Sequence, residues 1–513
     1  MSKTITSRLT VPVPSLRSWS DPLPFLLGRD GGLRSLHEEE SKATGGNPQE
    51  KDPVFLLQKQ GGLGEIPQTQ SSKNRAESQS PPVDEPDEPT VGLMPPWTSL
   101  GLILYMTFLA GAGLVIVIPT ADDYAERLQA GRAFSGLMIG LVPLFATIGV
   151  VLNYWQLKKK WSLKSVIYIN CFGAVCGNVL YALAGLTRWK WTLLMARALI
   201  GLCNGLVIGP LYISRNVGLL RRSEVMFYLS AVSTLGCAVG PCFAWALAVF
   251  VKELRIENLL LDSDTAPGWL MAALYFAFMQ LFVLLFQEPE TERDTDESEG
   301  KRVPTMPSSG LRGLSALPER LPVCALITCL WPLSVAGFVN TSCQVFIVTL
   351  AQRSLGWSIS ASALLLAGLM ATAGVINLLT GRLLLPHMKS DRAGLLASCL
   401  CGALGSLPVF DFGLTEGAQL VCLSVGLVLL LTAVNMARAF SMSLATKLVP
   451  GELKPLVNMQ SMGFGAMGGG AGAIFGALFT PATFAPVQMG LCLMAALAFA
   501  TCFAHMKPHR KAT

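Results

Sequence analysis

Few side chains in the apolar part of this 513-residue chain can carry charge or a directed hydrogen bond. Each costs roughly 2.5–3.5 kcal/mol to place in a bilayer when it is ionised, so each is a candidate for function. No Asp or Glu lies near the middle of an apolar run, and the four histidines, His37, His387, His505 and His509, fall outside the runs. A midplane carboxylate or histidine relay for protons is therefore not expected. What remains is positive or neutral. Arg197 and Asn204 are seven residues apart in one run, which puts them on one helix face. Asn340 and Gln344 make an i, i+4 pair in another, and Asn435 and Arg438 an i, i+3 pair in a third. Arginines and amides without an acid favour an anion, because the planar guanidinium fork matches phosphate or carboxylate oxygens. Structural readings stand beside this one. Arg438 and Arg215 could snorkel to an interface, Arg197 could bind backbone carbonyls of the first span, and Asn340 and Gln344 could bond neighbouring helices.

The string PTADDY, Pro119 to Tyr124, ends the first apolar run with two adjacent carboxylates. Thr120 followed by Asp123 fits the S/T-x-x-D/E form of a capping box. Asp122 and Asp123 would then occupy the first turn of a short helix, where the helix dipole favours negative charge. The functional alternative has Asp122 or Asp123 reach Arg197 and form a gate.

Those residues need helices to hold them. The chain is 51% hydrophobic and 14% charged, with a mean hydropathy of +0.50, the balance of a polytopic membrane protein. The net charge of +6 is spread out, and no basic patch interleaved with aromatics suggests nucleic-acid binding. All 13 cysteines lie between Cys171 and Cys502. Three C-x4-C pairs (171/176, 237/242, 324/329) set their sulfurs apart around a helix, which suits neither a disulfide nor a metal. They read as buried, reduced thiols.

Residues 1–97 are polar and lack helical periodicity, as a disordered cytoplasmic tail would be. Within them, Asp52-Pro-Val-Phe-Leu56-Leu57 is similar to an acidic dileucine sorting signal for lysosomes and vacuoles, whereas residues 1–20, with three basic residues and no acid, are transit-peptide-like. From Thr98 on, twelve apolar runs are long enough to span a ~30 Å hydrocarbon core. They cover roughly 98–118, 132–156, 163–186, 191–213, 225–250, 268–287, 322–350, 358–385, 392–412, 417–440, 456–480 and 484–504. The polar segment 288–321 divides them into six-helix halves, 98–287 and 322–505, followed by a short tail, 506–513. With the N-terminus in the cytoplasm, inner loops and C-tail carry fifteen Lys/Arg and outer loops seven.

Six plus six spans around a central loop resembles the major facilitator superfamily. Short motifs sharpen that resemblance. Gly149-VVL-Asn153-YWQL-Lys158-Lys159-Lys160 stands where the superfamily has its loop motif between spans 2 and 3, with Asn153 replacing the Asp. Arg197-x3-Gly201-x3-Gly205 resembles the span-4 arginine motif, and Gly236-x3-Gly240-Pro241 the span-5 motif of antiporters. Span 11 carries seven glycines between Gly463 and Gly476. Small residues of this kind let helix backbones approach. VIPTADDYAERL, ARALIGLCNG, LYIS and SAVSTLGCAVGPCFA look like the facilitator domain of plant SPX-linked vacuolar phosphate transporters and of lysosomal facilitators of the ceroid-lipofuscinosis type. That likeness covers residues 100–250, and no SPX domain is expected in residues 1–97.

The resulting expectation is an all-α membrane protein with twelve transmembrane helices in two halves. It would be a secondary transporter moving a small anion, inorganic phosphate first, by alternating access, in a vacuolar or lysosomal membrane, with a plastid envelope or plasma membrane possible. The resemblance implies that spans 1, 4, 7 and 10 line the cavity, with Arg197, Asn204, Asn340, Gln344, Asn435 and Arg438 binding substrate. Another small solute, or a non-transporting receptor or scaffold, is the alternative. No enzyme signature, cofactor, metal or nucleic-acid partner is expected, and the transport unit would be monomeric within the lipid bilayer.

Overall fold

The computed structural model describes residues 94–187, 189–205, 208–251, 254–256, 259–287, 323–384, 388, 390–413, 415–449 and 453–503. The sorting string Asp52, Leu56, Leu57, the segment 288–321 and the tail 506–513 lie outside them.

The apolar runs fold as helices because each satisfies its own backbone hydrogen bonds, which a bilayer demands. In the first half these are α1 (Trp97–Val115), a 3-10 turn (Ile118–Thr120), α2 (Ala121–Arg127), α3 (Arg132–Lys158), α4 (Leu163–Thr187), α5 (Lys190–Leu202), α6 (Ile208–Asn216), α7 (Leu219–Phe250) and α8 (Ala266–Leu285). In the second they are α9 (Val323–Arg353), α10 (Ile359–Leu379), α11 (Asp391–Gly405), α12 (Glu416–Lys447), α13 (Lys454–Gly476) and α14 (Pro481–Cys502). A π-turn, Thr380–Leu384, continues α10.

Among the described residues, 10 helices are long and apolar enough to cross a membrane. The other two expected spans are present as helix but differ in character. The fourth appears as two helices: α5 ends at Leu202, before Asn204 and Gly205, and α6 begins at Ile208. The eleventh is α13, continuous but diluted by glycine. The expectation of an all-helical chain also needs one correction. Leu254–Ile256 and Leu259–Leu261 pair as a short antiparallel hairpin, in register Leu254↔Leu261, in the loop before α8.

Glycines set the closest helix contacts. α7 lies so near α1 that a Cβ on Gly236 would sit 2.2 Å from the carbonyl oxygen of Phe108. A Cβ on Gly240 would sit 2.6 Å from that of Ala112. α13 meets α9 in the same way: a Cβ on Gly468 would sit 2.0 Å from the Ser334 oxygen, and one on Gly472 2.2 Å from the Phe338 oxygen. The halves join where α7 packs on α10 and α13 packs on α3, with Gly470 against Leu144. In α3, Asn153 is buried and accepts a hydrogen bond from Asn170 Nδ2 at 3.0 Å, so the amide that replaces the motif's Asp ties α3 to α4. All 13 cysteines are free thiols.

Candidate functional site

Between the halves lies a cavity of about 20 Å³, room for about one water. Thr107 of α1, Pro210 of α6, and Ser230 and Ser233 of α7 line it from the first half. Arg438 and Met442 of α12 and Met462 of α13 line it from the second. Arg438 is the one charged residue in that lining. It faces the cavity instead of snorkelling to an interface. Three residues N-terminal, Asn435 Nδ2 donates to Leu431 O at 2.8 Å and approaches Asn340 Oδ1 at 3.5 Å. The Asn435 carbonyl accepts from Ser230 Oγ of the opposite half at 3.5 Å. Asn340, Asn435 and Arg438 therefore gather on the inter-half seam. Ser230, Ser233 and Thr107 join them; Ser230 and Ser233 lie in the string SAVSTLGCAVGPCFA, but nothing in the sequence singled out their hydroxyls, or that of Thr107, as site groups.

Three expected members are elsewhere. Arg197 is 1% exposed and sits inside the first half, between α3, α4 and α5. Its Nε donates to the Met138 carbonyl at 3.3 Å, and its guanidinium carbon lies 6.0 Å from the centre of the Tyr181 ring. Its Nη2 has no hydrogen-bond partner. The argument that put Asn204 on the Arg197 face fails because the helix stops at Leu202, so seven residues no longer make two turns. Gln344 is fully buried against α10, with Nε2 3.7 Å from Met370 Sδ. The i, i+4 pair Asn340 and Gln344 is divided between the seam and the α9–α10 contact.

On the orientation that the positive-inside count predicts, the end bearing Pro119–Gly131 is the outer one, and outer and inner are used in that sense. There Asp122 pairs with Arg353, the last residue of α9, and not with Arg197. Arg353 Nε donates to Oδ2 at 2.9 Å and Nη2 to Oδ1 at 2.8 Å, a bidentate fork. Ser135 Oγ donates to the same carboxylate at 2.5 Å, and Gln352 Nε2 donates to the Pro119 carbonyl at 2.8 Å. The first half is thus bolted to the second at its outer edge. The capping box does not form. Thr120 already has near-helical backbone angles (φ −102°, ψ −1°) because the 3-10 turn feeds straight into α2, and its hydroxyl turns back to Val117 O at 3.4 Å. Asp123 lies with Asp122, Glu126 and Arg353 around an open outer vestibule of about 420 Å³.

At the far end of α2, Arg127 Nη1 donates to Asp262 Oδ2 and, at 3.1 Å, to Asp264 Oδ2. Both acids are buried in the loop before α8. Asp262 Oδ1 also accepts from the backbone N–H of Asp264 and Thr265, and from Thr265 Oγ1. Burial works against the charge of Asp262, but the hydrogen bonds from Arg127 and Thr265 outweigh it and hold the acid below the ordinary range. Asp264 lacks that support. Burial first, and then the neighbouring Asp262, push it up to about 6, with Arg127 offsetting only part.

The inner end closes as well, through residues that entered the sequence reading only as orientation signals or not at all. Lys447 Nζ donates to Asp391 Oδ2 at 2.6 Å and to Ser223 Oγ of the first half at 2.8 Å. Ser223 and Ser443 hydroxyls are 2.7 Å apart, and Asn458 Nδ2 donates to Ser214 Oγ at 2.6 Å. With both ends bonded across the halves, the cavity is occluded.

Residues 103–477 match the Major Facilitator Superfamily. An SPX domain-containing membrane protein of Arabidopsis thaliana is 32% identical over 197 residues, 38% of this chain and 27% of that protein. One of Oryza sativa subsp. japonica is 32% identical over 195 residues, 37% of this chain and 27% of that protein. The chain thus matches about a quarter of the length of these relatives. The crystal structure of the human organic anion transporter MFSD10 (TETRAN) superposes with a TM-score of 0.54 at 15% identity, over 81% of this chain and 100% of that one. That likeness is one of fold.

Proposed function

The chain belongs to the major facilitator superfamily, and from that premise we propose that it is a secondary transporter of a small anion, inorganic phosphate first. Its twelve spans would work as two halves rocking about the Arg438 cavity. The observation that carries this reading is the cavity's charge: one arginine, amides and hydroxyls nearby, and no acid in the lining. Arg438 would bind the anion's oxygens, while Asn340 and Asn435 orient it from the second half and Ser230 and Ser233 from the first. Asp122–Arg353 would be the outer gate and Lys447–Asp391, with Ser223, the inner one. The outer vestibule, with three carboxylates to one arginine, favours release of an anion there over its capture. The direction would be from cytoplasm outward, into a vacuole or lysosome if the string at Asp52, Leu56 and Leu57 directs the protein there.

Radiolabelled phosphate flux in proteoliposomes tests it. Saturable uptake that Arg438→Ala abolishes supports phosphate. A second reading, an organic anion, is favoured by the apolar share of the same lining, Met226, Leu229, Met442 and Met462. Saturable flux of an organic anion with none of phosphate would select it. No flux of any anion tested would leave a scaffold.

A further inference from the structure

The seven-residue helix α2 connects two charged contacts. Its first turn carries Asp122, which grips Arg353 of the other half, and its last residue, Arg127, is gripped by Asp262 and Asp264. Among the described residues, one half-exposed guanidinium thus faces two buried carboxylates, which leaves one negative charge without a counter-charge beside it. Among the described residues, the other groups that face Asp264 leave that excess in place. Asp123 of α2 adds a further negative charge, while Tyr124 of α2 and Tyr181 of α4 are neutral phenols. The Tyr181 side chain is 1% exposed, and its hydroxyl has no hydrogen-bond partner although both carboxylates lie within electrostatic reach. Tyr124 Oη donates to the Tyr181 carbonyl at 3.3 Å, so its proton is not shared with that hydroxyl. Beyond Tyr181 stands Arg197, with its own unpartnered Nη2. Two acids sharing one base, next to an orphaned buried hydroxyl, form a place that takes up a positive charge of the smallest size.

We propose that Asp264 is a proton-binding site on the outer side of the first half, and that its occupancy favours the docked position of α2 in which Asp122 closes the outer gate. On the transport reading above, on which this last step rests, solute movement is then linked to outer pH.

The sign follows from linkage. Docked against α2, Asp264 titrates near 6, whereas a carboxylate that opening returns to water titrates near 3.8. Closure therefore takes up a proton between those values. Acid on the outer side favours the closed end, and that preference is lost as pH rises through about 6. Between pH 7 and pH 5 the closed-to-open ratio should rise roughly ten-fold.

The test needs no substrate. Labels introduced as non-natural amino acids at the exposed positions Gln129 and Leu355 report the gap across the outer end in proteoliposomes, read by pulsed electron–electron distance measurement. The wild type should raise its ratio of short- to long-distance populations about ten-fold between pH 7 and pH 5. Asp264→Asn, which keeps the shape and removes the titration, should stay closed and flat over that range. Asp262→Asn, which removes the neighbouring negative charge, should move the midpoint to lower pH. If Asp264→Asn does not fold, Asp264→Glu should fold and still titrate. A wild type that is flat between pH 7.5 and pH 4.5 would overturn the proposal, as would an Asp264→Asn protein that titrates like the wild type. A pH-dependent gap in a protein that carries no anion would support the proton site and refute the transport reading, so the two fail separately.

Discussion

In the first half, Gly236 and Gly240 seat α7 against Phe108 and Ala112 of α1; in the second, Gly468 and Gly472 seat α13 against Ser334 and Phe338 of α9. Spans 1 and 5 thus pack as spans 7 and 11 do. The arginines of the paired spans 4 and 10 differ. Arg197 is sealed inside its own half against a carbonyl and a ring, whereas Arg438 opens on the seam between halves. The comparison separates two jobs. Backbone packing repeats because both halves must form the same rigid body. Charge need not repeat, because a single solute site needs its counter-charge only once.

The largest expected effect sets the two arginines against each other. Arg438→Met should cut anion flux at least ten-fold with little change in thermal unfolding. Arg197→Met should keep flux within about two-fold and leave stability unchanged or raised, by up to about 1–4 kcal/mol, because it removes a buried charge at nearly constant volume. Flux together with unfolding in detergent checks both, and the reverse pattern would return the solute to Arg197.

Next in size is the glycine parallel. Gly236→Ala and Gly468→Ala should each destabilise by roughly 1–3 kcal/mol, since the added carbon must push backbone away from backbone. Gly465→Ala, where the nearest atom to the new Cβ is 3.8 Å away, should be neutral or slightly stabilising. Equal midpoints for all three in a thermal scan would break the parallel.

The smallest effect concerns the ends. The Asp122–Arg353 pair is 24% exposed on each side, so its loss should cost no more than about 1 kcal/mol. Asp122→Asn should open the outer end up to about five-fold by cysteine-accessibility kinetics, and Asp391→Asn should do the same at the inner end. An Asp122→Arg, Arg353→Asp double exchange should recover most of the outer closure.

Much of this was legible in the sequence. Apolar runs of about 20 residues gave ten spans because length and hydropathy are local properties. The two that fell short did so for local reasons too: the break after Leu202 and the glycines of α13. Asn340, Asn435 and Arg438 stood out because polar groups in apolar helices are conspicuous, and they lie together on the seam. The partner of Asp122 did not, because Arg353 lies 231 residues away and only the packing of one half on the other brings them together. Thr120 and Asp123 carried a cap signature that the incoming 3-10 turn overrode. Arg197 was conspicuous by type but misplaced by analogy, since spacing along a helix cannot say which neighbour its face meets.

The cavity at Arg438 holds about one water and is walled by methionines. A carrier at rest in this form is also an electrical plug. Ions crossing the membrane would have to pass a narrow waist flanked by bonded ends, so a cell could keep many copies idle without draining the gradients across that membrane. The thioethers bring a second consequence. Oxidation to sulfoxides would put polar oxygens at the waist and wet it. Oxidative damage should therefore show first as ion leak, before any loss of fold.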